Sequence, residues 1–140
     1  YGGGNKGIMG AVANACLDAG GKVTGIIPEL LLAWEAQHEG LTELIVTESM
    51  HARKLLLYEK CDVAVILPGG MGTLDELFEM LVWNNLSIHE KKIVLYNFEG
   101  FYNPLVEMIQ KMETEGFLYD KARYRFTICN NREELAAIFS

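Results

Sequence analysis

The sequence predicts an α/β fold, a Rossmann-like parallel sheet with helices on both faces. Two observations carry this. Short β-branched runs alternate with longer stretches of 3.6-residue period, and strands separated by helices imply right-handed crossovers and parallel pairing. The run Val63-Ala64-Val65-Ile66-Leu67 is apolar at every position. A strand covered on both faces requires that pattern, so this strand is expected at the centre of the sheet.

The elements follow in order. After the glycine loop Gly2 to Gly7 comes a helix from about Ile8 to Ala19, with Ile8, Val12, Ala15, Cys16 and Ala19 on one face and Gly20-Gly21 as its stop. Lys22 to Ile27 reads as a strand stopped by Pro28, and Leu30 to His38 as a short helix closed by Gly40. Leu44 to Thr47 is the next strand and Met50 to Lys60 the next helix. The central run feeds the loop Pro68 to Gly72 and a helix from about Thr73 to Asn84, which sets Leu74, Leu77, Phe78, Leu81 and Val82 at core spacing. Ile93 to Tyr96 is a strand, and Pro104 to Glu115 a helix with Leu105, Met108, Ile109 and Met112 inward. Phe126 to Cys129 is the last strand, and Asn130 or Asn131 caps a final helix, Glu133 to Phe139. Trp34 and Trp83 read as core or subunit contacts, and Leu81, Val82, Trp83 and Leu86 are candidates for a subunit interface.

Composition bounds the function. A chain of 140 residues, 50% apolar, fits one domain spanning 1–140. With 12 basic and 19 acidic side chains the net charge is −7, which disfavours a general grip on nucleic acid polymers or anionic membrane. Any phosphate is then held locally. No apolar run approaches the roughly 18 residues of a membrane span, so a soluble protein is expected. Cys16, Cys61 and Cys129 lack C-x-x-C spacing and read as reduced core thiols of a cytoplasmic protein. His38, His51 and His89 stand in unrelated segments, so no metal site is expected.

Two glycine loops stand where such a sheet presents ligands, at the carboxyl ends of its strands. Gly2-Gly3-Gly4-Asn5-Lys6-Gly7 satisfies G-x-G-x-x-G and opens a helix, although a triple glycine matches that pattern easily. Pro68-Gly69-Gly70-Met71-Gly72-Thr73 is the stronger signal, between an unambiguous strand and an amphipathic helix. Glycine at 69, 70 and 72 removes Cβ atoms that would keep a phosphate from the amides, and Thr73 adds a hydroxyl. No Gly-Lys-Ser/Thr follows, so a monophosphate fits better than a triphosphate.

Two readings of Glu76 stay open. Thr73 to Glu76 matches a capping box, in which the carboxylate turns back to the Thr73 amide. Alternatively Glu76 and Glu79, three apart and opposite the inward Leu74, Leu77 and Phe78, point into the crevice toward a sugar. Ser49-Met50-His51-Ala52-Arg53-Lys54 follows a strand end on the same edge. Its Arg53 offers a planar fork and Lys54 a point charge, unless both simply decorate a solvated first turn. Basic residues near a helix N-terminus oppose the helix dipole, a hint that an anion compensates them.

The strings YGGGNKGIMG, SMHARK and PGGMGTLDE, with WNNLSIHEKKIVLYNFEGFYNPLVEMI and EGFL after them, resemble the LONELY GUY family of cytokinin riboside 5′-monophosphate phosphoribohydrolases, long labelled possible lysine decarboxylases. The resemblance spans nearly the whole chain. It implies a Rossmann-like fold assembled as a homodimer or higher oligomer. It also implies hydrolysis of the N-glycosidic bond of an adenosine 5′-monophosphate, often N6-modified, to free base and ribose 5-phosphate without a cofactor. Carried over, the catalytic pair falls on Arg53 and Glu76. The phosphate loop falls on Gly69, Gly70, Gly72 and Thr73, a second nucleotide-contacting loop on Gly2, Gly3 and Gly4, and the basic motif on Met50, His51 and Lys54. Family members begin with a strand and helix ahead of the YGGG sequence, so this domain is expected to be N-terminally incomplete. The decarboxylase label finds no pyridoxal-binding lysine context.

The chemistry asked of these residues is plain. As the bond to the base stretches, positive charge grows on the ribose, and a fixed carboxylate at Glu76 stabilises that state above the neutral ground state. Two alternatives remain. A non-catalytic nucleotide or molybdenum-cofactor carrier would share the PGG-x-GT loop, but retention of both Arg53 and Glu76 argues against it. A dinucleotide-dependent oxidoreductase would use Gly2, Gly4, Gly7 and Glu29, but the chain offers no substrate domain for one.

Overall fold

A computed structural model describes residues 1–32, 34, 37–118 and 125–140. They form two compact units, Tyr1–Lys60 and Cys61–Ser140. In both, strands pair in parallel and alternate with helices, so the α/β class read from periodicity holds.

The first unit runs α1 (Gly7–Asp18), β1 (Thr24–Pro28), α2 (Glu29–Leu32), β2 (Glu43–Thr47) and α3 (Met50–Lys60). Strands β1 and β2 pair from Thr24 with Glu43 to Pro28 with Thr47. Pro28 closes β1 rather than standing outside it. A proline has no N–H to give but still accepts through its carbonyl, which a terminal strand position tolerates. Of the expected helix Leu30 to His38, positions 33, 35 and 36 lie outside the described residues, and helix α2 ends at Leu32. His38 is not helical. It is a buried pin whose Nδ1 accepts from the Gly40 amide at 3.0 Å, while Nε2 meets Asn14 Oδ1 at 2.9 Å.

Helix α1 does hold Ile8, Val12, Ala15 and Cys16 on one face, with the C-cap Ala19, but that face is not the buried one. Its buried residues are Gly10 and Ala13, whereas Ile8 and Val12 are 49% and 46% exposed and Ala15 and Ala19 are exposed too. The reason is a close backbone approach. A Cβ on Gly10 would collide with the carbonyl of Asn5, so the helix seats on its small residues and turns its larger ones outward. The same unit buries Val23, Ile26, Ile27 and Tyr58.

The second unit runs β3 (Val63–Ile66), α4 (Met71–Asn85), β4 (Lys92–Tyr96), α5 (Asn103–Thr114), β5 (Phe126–Cys129) and α6 (Arg132–Ile138), with a short 3₁₀ turn at Phe98–Gly100. Its sheet order is β3-β4-β5, so β4 and not β3 is the central strand of this sheet. Ile93, Val94 and Leu95 are fully buried, while Val63, Ala64 and Val65 are half-buried. Apolar content alone ranked the strands wrongly, because burial is set by the neighbours a strand acquires.

Helix α4 buries Leu77, Met80, Leu81 and Asn84, but leaves Phe78 and Val82 exposed. On α5 only Ile109 is buried among the four residues expected inward, and Met108 is exposed. Asn131, not Asn130, caps α6, its side chain accepting from the Glu134 amide. None of the three cysteines is in a disulfide, and only Cys129 is buried; Cys16 and Cys61 are half-exposed and not core thiols. Trp34 is 78% exposed, so no core role falls to it. Among the described residues no helix is long and apolar enough to cross a membrane.

Candidate functional site

The first unit brings the triple glycine and the basic motif together. The Tyr1 nitrogen donates to Thr24 O at 2.9 Å and Ile26 N returns to Tyr1 O at 2.8 Å, so residues 1–3 run along the edge of β1. The Tyr1 hydroxyl donates to the Gly4 carbonyl, and burial pushes its pKa up. Gly3 has a φ of +80°, and its Cα would lie 2.8 Å from a Cβ on Gly25. Only glycine suits either position. The Gly3 carbonyl accepts from the His38 amide at 3.1 Å, and Gly4 bridges Gln37 antiparallel.

Helix α3 starts where Ser49 Oγ accepts from the Ala52 amide at 3.1 Å, a cap the sequence signals as a serine just ahead of the helix. Thr47, at the end of β2, donates its hydroxyl to the Ser49 carbonyl and so holds the cap. This start aims Arg53 inward. Arg53 is only 8% exposed, and its Nε donates to Ile26 O at 3.1 Å. Arg53 therefore does not sit in a solvated first turn. A guanidinium carried to a strand carbonyl beside a glycine loop is fixed in plane, with its Nη groups directed past Gly2. Met50 and Lys54 are half-buried and His51 is exposed on the same helix.

The second unit forms the glycine loop ahead of α4. Gly70 is the N-cap of α4, with no side-chain cap, and the Leu74 amide already bonds Gly70 O at 3.2 Å. The first-turn amides of Met71, Gly72 and Thr73 have no intrahelical acceptor, by helix geometry, and the positive end of the helix dipole coincides with them. Because α4 begins at Met71, Thr73 is inside the helix, and the capping-box reading of Thr73 to Glu76 does not hold. Glu76 lies four residues beyond Gly72 and hence one turn along the same face; it is half-buried, as is Glu79, while Asp75 is exposed.

The three loop glycines differ in kind. A Cβ on Gly69 would strike the Thr73 side chain, so packing requires that glycine. At Gly70 and Gly72 a Cβ would have no protein atom within 4 Å, and neither φ is positive. Neither packing nor conformation demands glycine there. Their lack of a Cβ leaves the backbone at this turn open. Met71, 83% exposed, leaves the mouth open.

Sequence reasoning missed what holds this loop. The Tyr102 hydroxyl donates to Leu67 O at 2.6 Å, and Asn97 accepts from the Tyr102 amide at 2.7 Å. Burial raises the Tyr102 pKa, with a Gly69 backbone hydrogen bond acting the other way. Among the described residues no group of three or more His, Cys, Asp or Glu is placed to hold a metal ion.

Known proteins resemble this chain along its length. The family model described as "Possible lysine decarboxylase" matches residues 9–139. The cytokinin riboside 5′-monophosphate phosphoribohydrolase of Rhodococcoides fascians is 47% identical over 142 residues, covering 100% of this chain and 72% of the relative. LOG5 of Arabidopsis thaliana, with the same enzyme name, is 42% identical over 135 residues, covering 96% of this chain and 59% of its own length. LOG1 of Arabidopsis thaliana is 39% identical over 135 residues and matched along 63% of its length. The chain thus spans less than two thirds of both plant relatives.

Proposed function

The chain belongs to the LONELY GUY family, described in its family model as possible lysine decarboxylases, and on that premise we propose that it hydrolyses the N-glycosidic bond of adenosine 5′-monophosphates, including N6-modified ones. Water and nucleotide give free base and ribose 5-phosphate. The carrying observation is the pair Gly70 and Gly72, glycines that no packing or backbone angle requires, at the amino end of a helix whose Glu76 stands one turn further on.

In this reading the 5′-phosphate seats on the first amides of α4, and Gly69, Gly70, Gly72 and Thr73 fix it. The ribose then extends along the helix face toward Glu76. As the C1′–N9 bond breaks, its electron pair leaves on the base and the ring takes up positive charge, which the Glu76 carboxylate stabilises. Water adds to C1′ and gives a proton to Glu76, which releases it to solvent, while the departing base takes one proton from solvent, so water is consumed and the carboxylate is restored. Arg53 binds ribose or phosphate, and Gly2, Gly3, Gly4, Met50, His51 and Lys54 are its companions in nucleotide binding. Anchoring the phosphate converts binding energy into position at C1′. A homodimer or larger assembly and a cytoplasmic location complete the proposal.

The test is an incubation of the chain with adenosine 5′-monophosphate, with adenine and ribose 5-phosphate quantified. Equimolar release is expected. Tight binding of intact nucleotide with no release would replace the hydrolase with a carrier.

A further inference from the structure

The carboxyl ends of the three strands of the second unit are joined by a hydrogen-bonded chain that the chemistry above does not use. Asn97, buried just after β4, gives one amide proton to Asn103 Oδ1 at 2.9 Å and the other to Asn130 Oδ1 at 3.2 Å. Its own Oδ1 takes the Tyr102 amide at 2.7 Å, so every polar group of the Asn97 side chain is engaged. Asn130, just after β5, is held in turn by Glu134, whose carboxylate accepts its backbone amide at 2.8 Å. At the other end Tyr102, 2% exposed, donates its hydroxyl to the carbonyl of Leu67, the residue that follows β3 and precedes Pro68-Gly69-Gly70.

A glycine loop has more conformational freedom to lose than any other, and Gly70 and Gly72 bring no side-chain packing of their own. Something else must fix where the first amides of α4 stand. The 2.6 Å bond from Tyr102 reaches the chain at the point of entry to the loop, and its length falls within the strong range for O–H···O. Tyr102 is buried and Leu67 half-buried, so a hydroxyl or carbonyl stranded there loses a partner that water replaces only in part, and the contact resists opening.

We propose that Tyr102 is a positioning residue: its hydroxyl, itself fixed through Asn97 and Asn130, sets the phosphate loop so that the amides at the start of α4 meet a 5′-phosphate. This rests on the nucleotide reading of the loop but adds a residue that touches no reacting atom. The consequence is specific. Loss of the hydroxyl weakens recognition of the phosphate and leaves the chemistry at the sugar alone.

The experiment uses the full chain and Tyr102→Phe, which keeps the ring and removes only the hydroxyl. Steady-state hydrolysis of adenosine 5′-monophosphate and of adenosine is compared, and inorganic phosphate binding is measured by calorimetry. The expected result is a KM for the monophosphate raised roughly tenfold, with kcat changed by less than about twofold, and phosphate affinity lowered roughly tenfold. The smaller kcat/KM for adenosine stays as it was. A purely structural role would lower both substrates together, and that result, or an unchanged phosphate affinity, overturns the proposal. If Tyr102→Phe fails to fold, Asn103→Ala, an exposed change that releases Asn97 on one side, must lower phosphate affinity in the same direction. An unchanged affinity in it overturns the proposal equally. If the parent chain releases no adenine, the hydrolase reading fails on its own, and the phosphate arm still decides the role of Tyr102. Absence of phosphate binding in the parent chain overturns both.

Discussion

Gly2 and Arg53 compete for one place: a Cβ on residue 2 would stand 2.5 Å from Arg53 Nη2, so the glycine exists where the guanidinium passes. Two motifs near opposite ends of the first unit's sequence are thereby a single piece of structure. The Arg53 Nε bond to Ile26 O locks the plane of the guanidinium, and Gly2 gives it room.

Gly2→Ala is therefore expected to displace the guanidinium. Overpacking of this kind costs about 1–3 kcal/mol, and a misplacement of about 1 Å costs on the order of 100-fold in rate. Thermal unfolding and AMP hydrolysis measured side by side check this. A variant with parental activity would show that Arg53 needs no fixed position.

Arg53→Lys is expected to fail as a conservative change. An ammonium cannot reproduce a planar fork that bonds Ile26 O through Nε and still presents its Nη groups. Base release should fall by at least about tenfold, with AMP affinity reduced as well. Parental kinetics in this variant would reduce Arg53 to a simple positive charge.

The loop glycines provide a contrast. Gly69→Ala drives a Cβ into Thr73 and should destabilise by about 1–3 kcal/mol. Gly70→Ala meets no protein atom and should alter stability by less than about 0.5 kcal/mol while weakening AMP binding. Calorimetric titration separates the two. If Gly70→Ala binds AMP as the parent does, the open space above the loop is not a phosphate seat.

Alkaline stability reports on Tyr102. Burial holds its pKa above the ordinary phenol value of about 10, a Gly69 backbone hydrogen bond acting in the opposite direction. Below pH 10 folded and unfolded chains both keep the proton. As pH rises, the unfolded chain loses it first, so this contribution to stability falls as pH climbs through the raised folded-state value. The Tm of the parent should drop more steeply above pH 10 than that of Tyr102→Phe. Parallel curves would contradict the assignment.

Much of the fold was legible because its signals are local. Alternating periodicity located five strands, and Phe126–Cys129 and the helix Met50–Lys60 fall at the expected ends. The glycines at 69, 70 and 72 and the serine at 49 carry their chemistry in their identity. What remained hidden depends on partners distant in the chain. Nothing in the string MHARK says that the carbonyl of Ile26 will take Arg53 out of water. The outward turn of Ile8 and Val12 follows from how closely Gly10 meets Asn5, a backbone fact with no hydrophobic signature. Asn97 and Tyr102 read as ordinary loop and helix-entry residues until three strand ends converge on them. The start of α4 lies at Met71 and not Thr73, with Gly70 at the N-cap and no side chain capping it, so no cap residue in the sequence marks it.

Glu76→Gln gives the most direct measurement, since it keeps the size and shape of the side chain while removing the charge assigned to the stretching glycosidic bond. Adenosine 5′-monophosphate should bind the variant within about threefold of the parent, and adenine release should fall by at least about 100-fold. Release at the parental rate would contradict the account at its centre, because the carboxylate would then have no part in cleaving the bond.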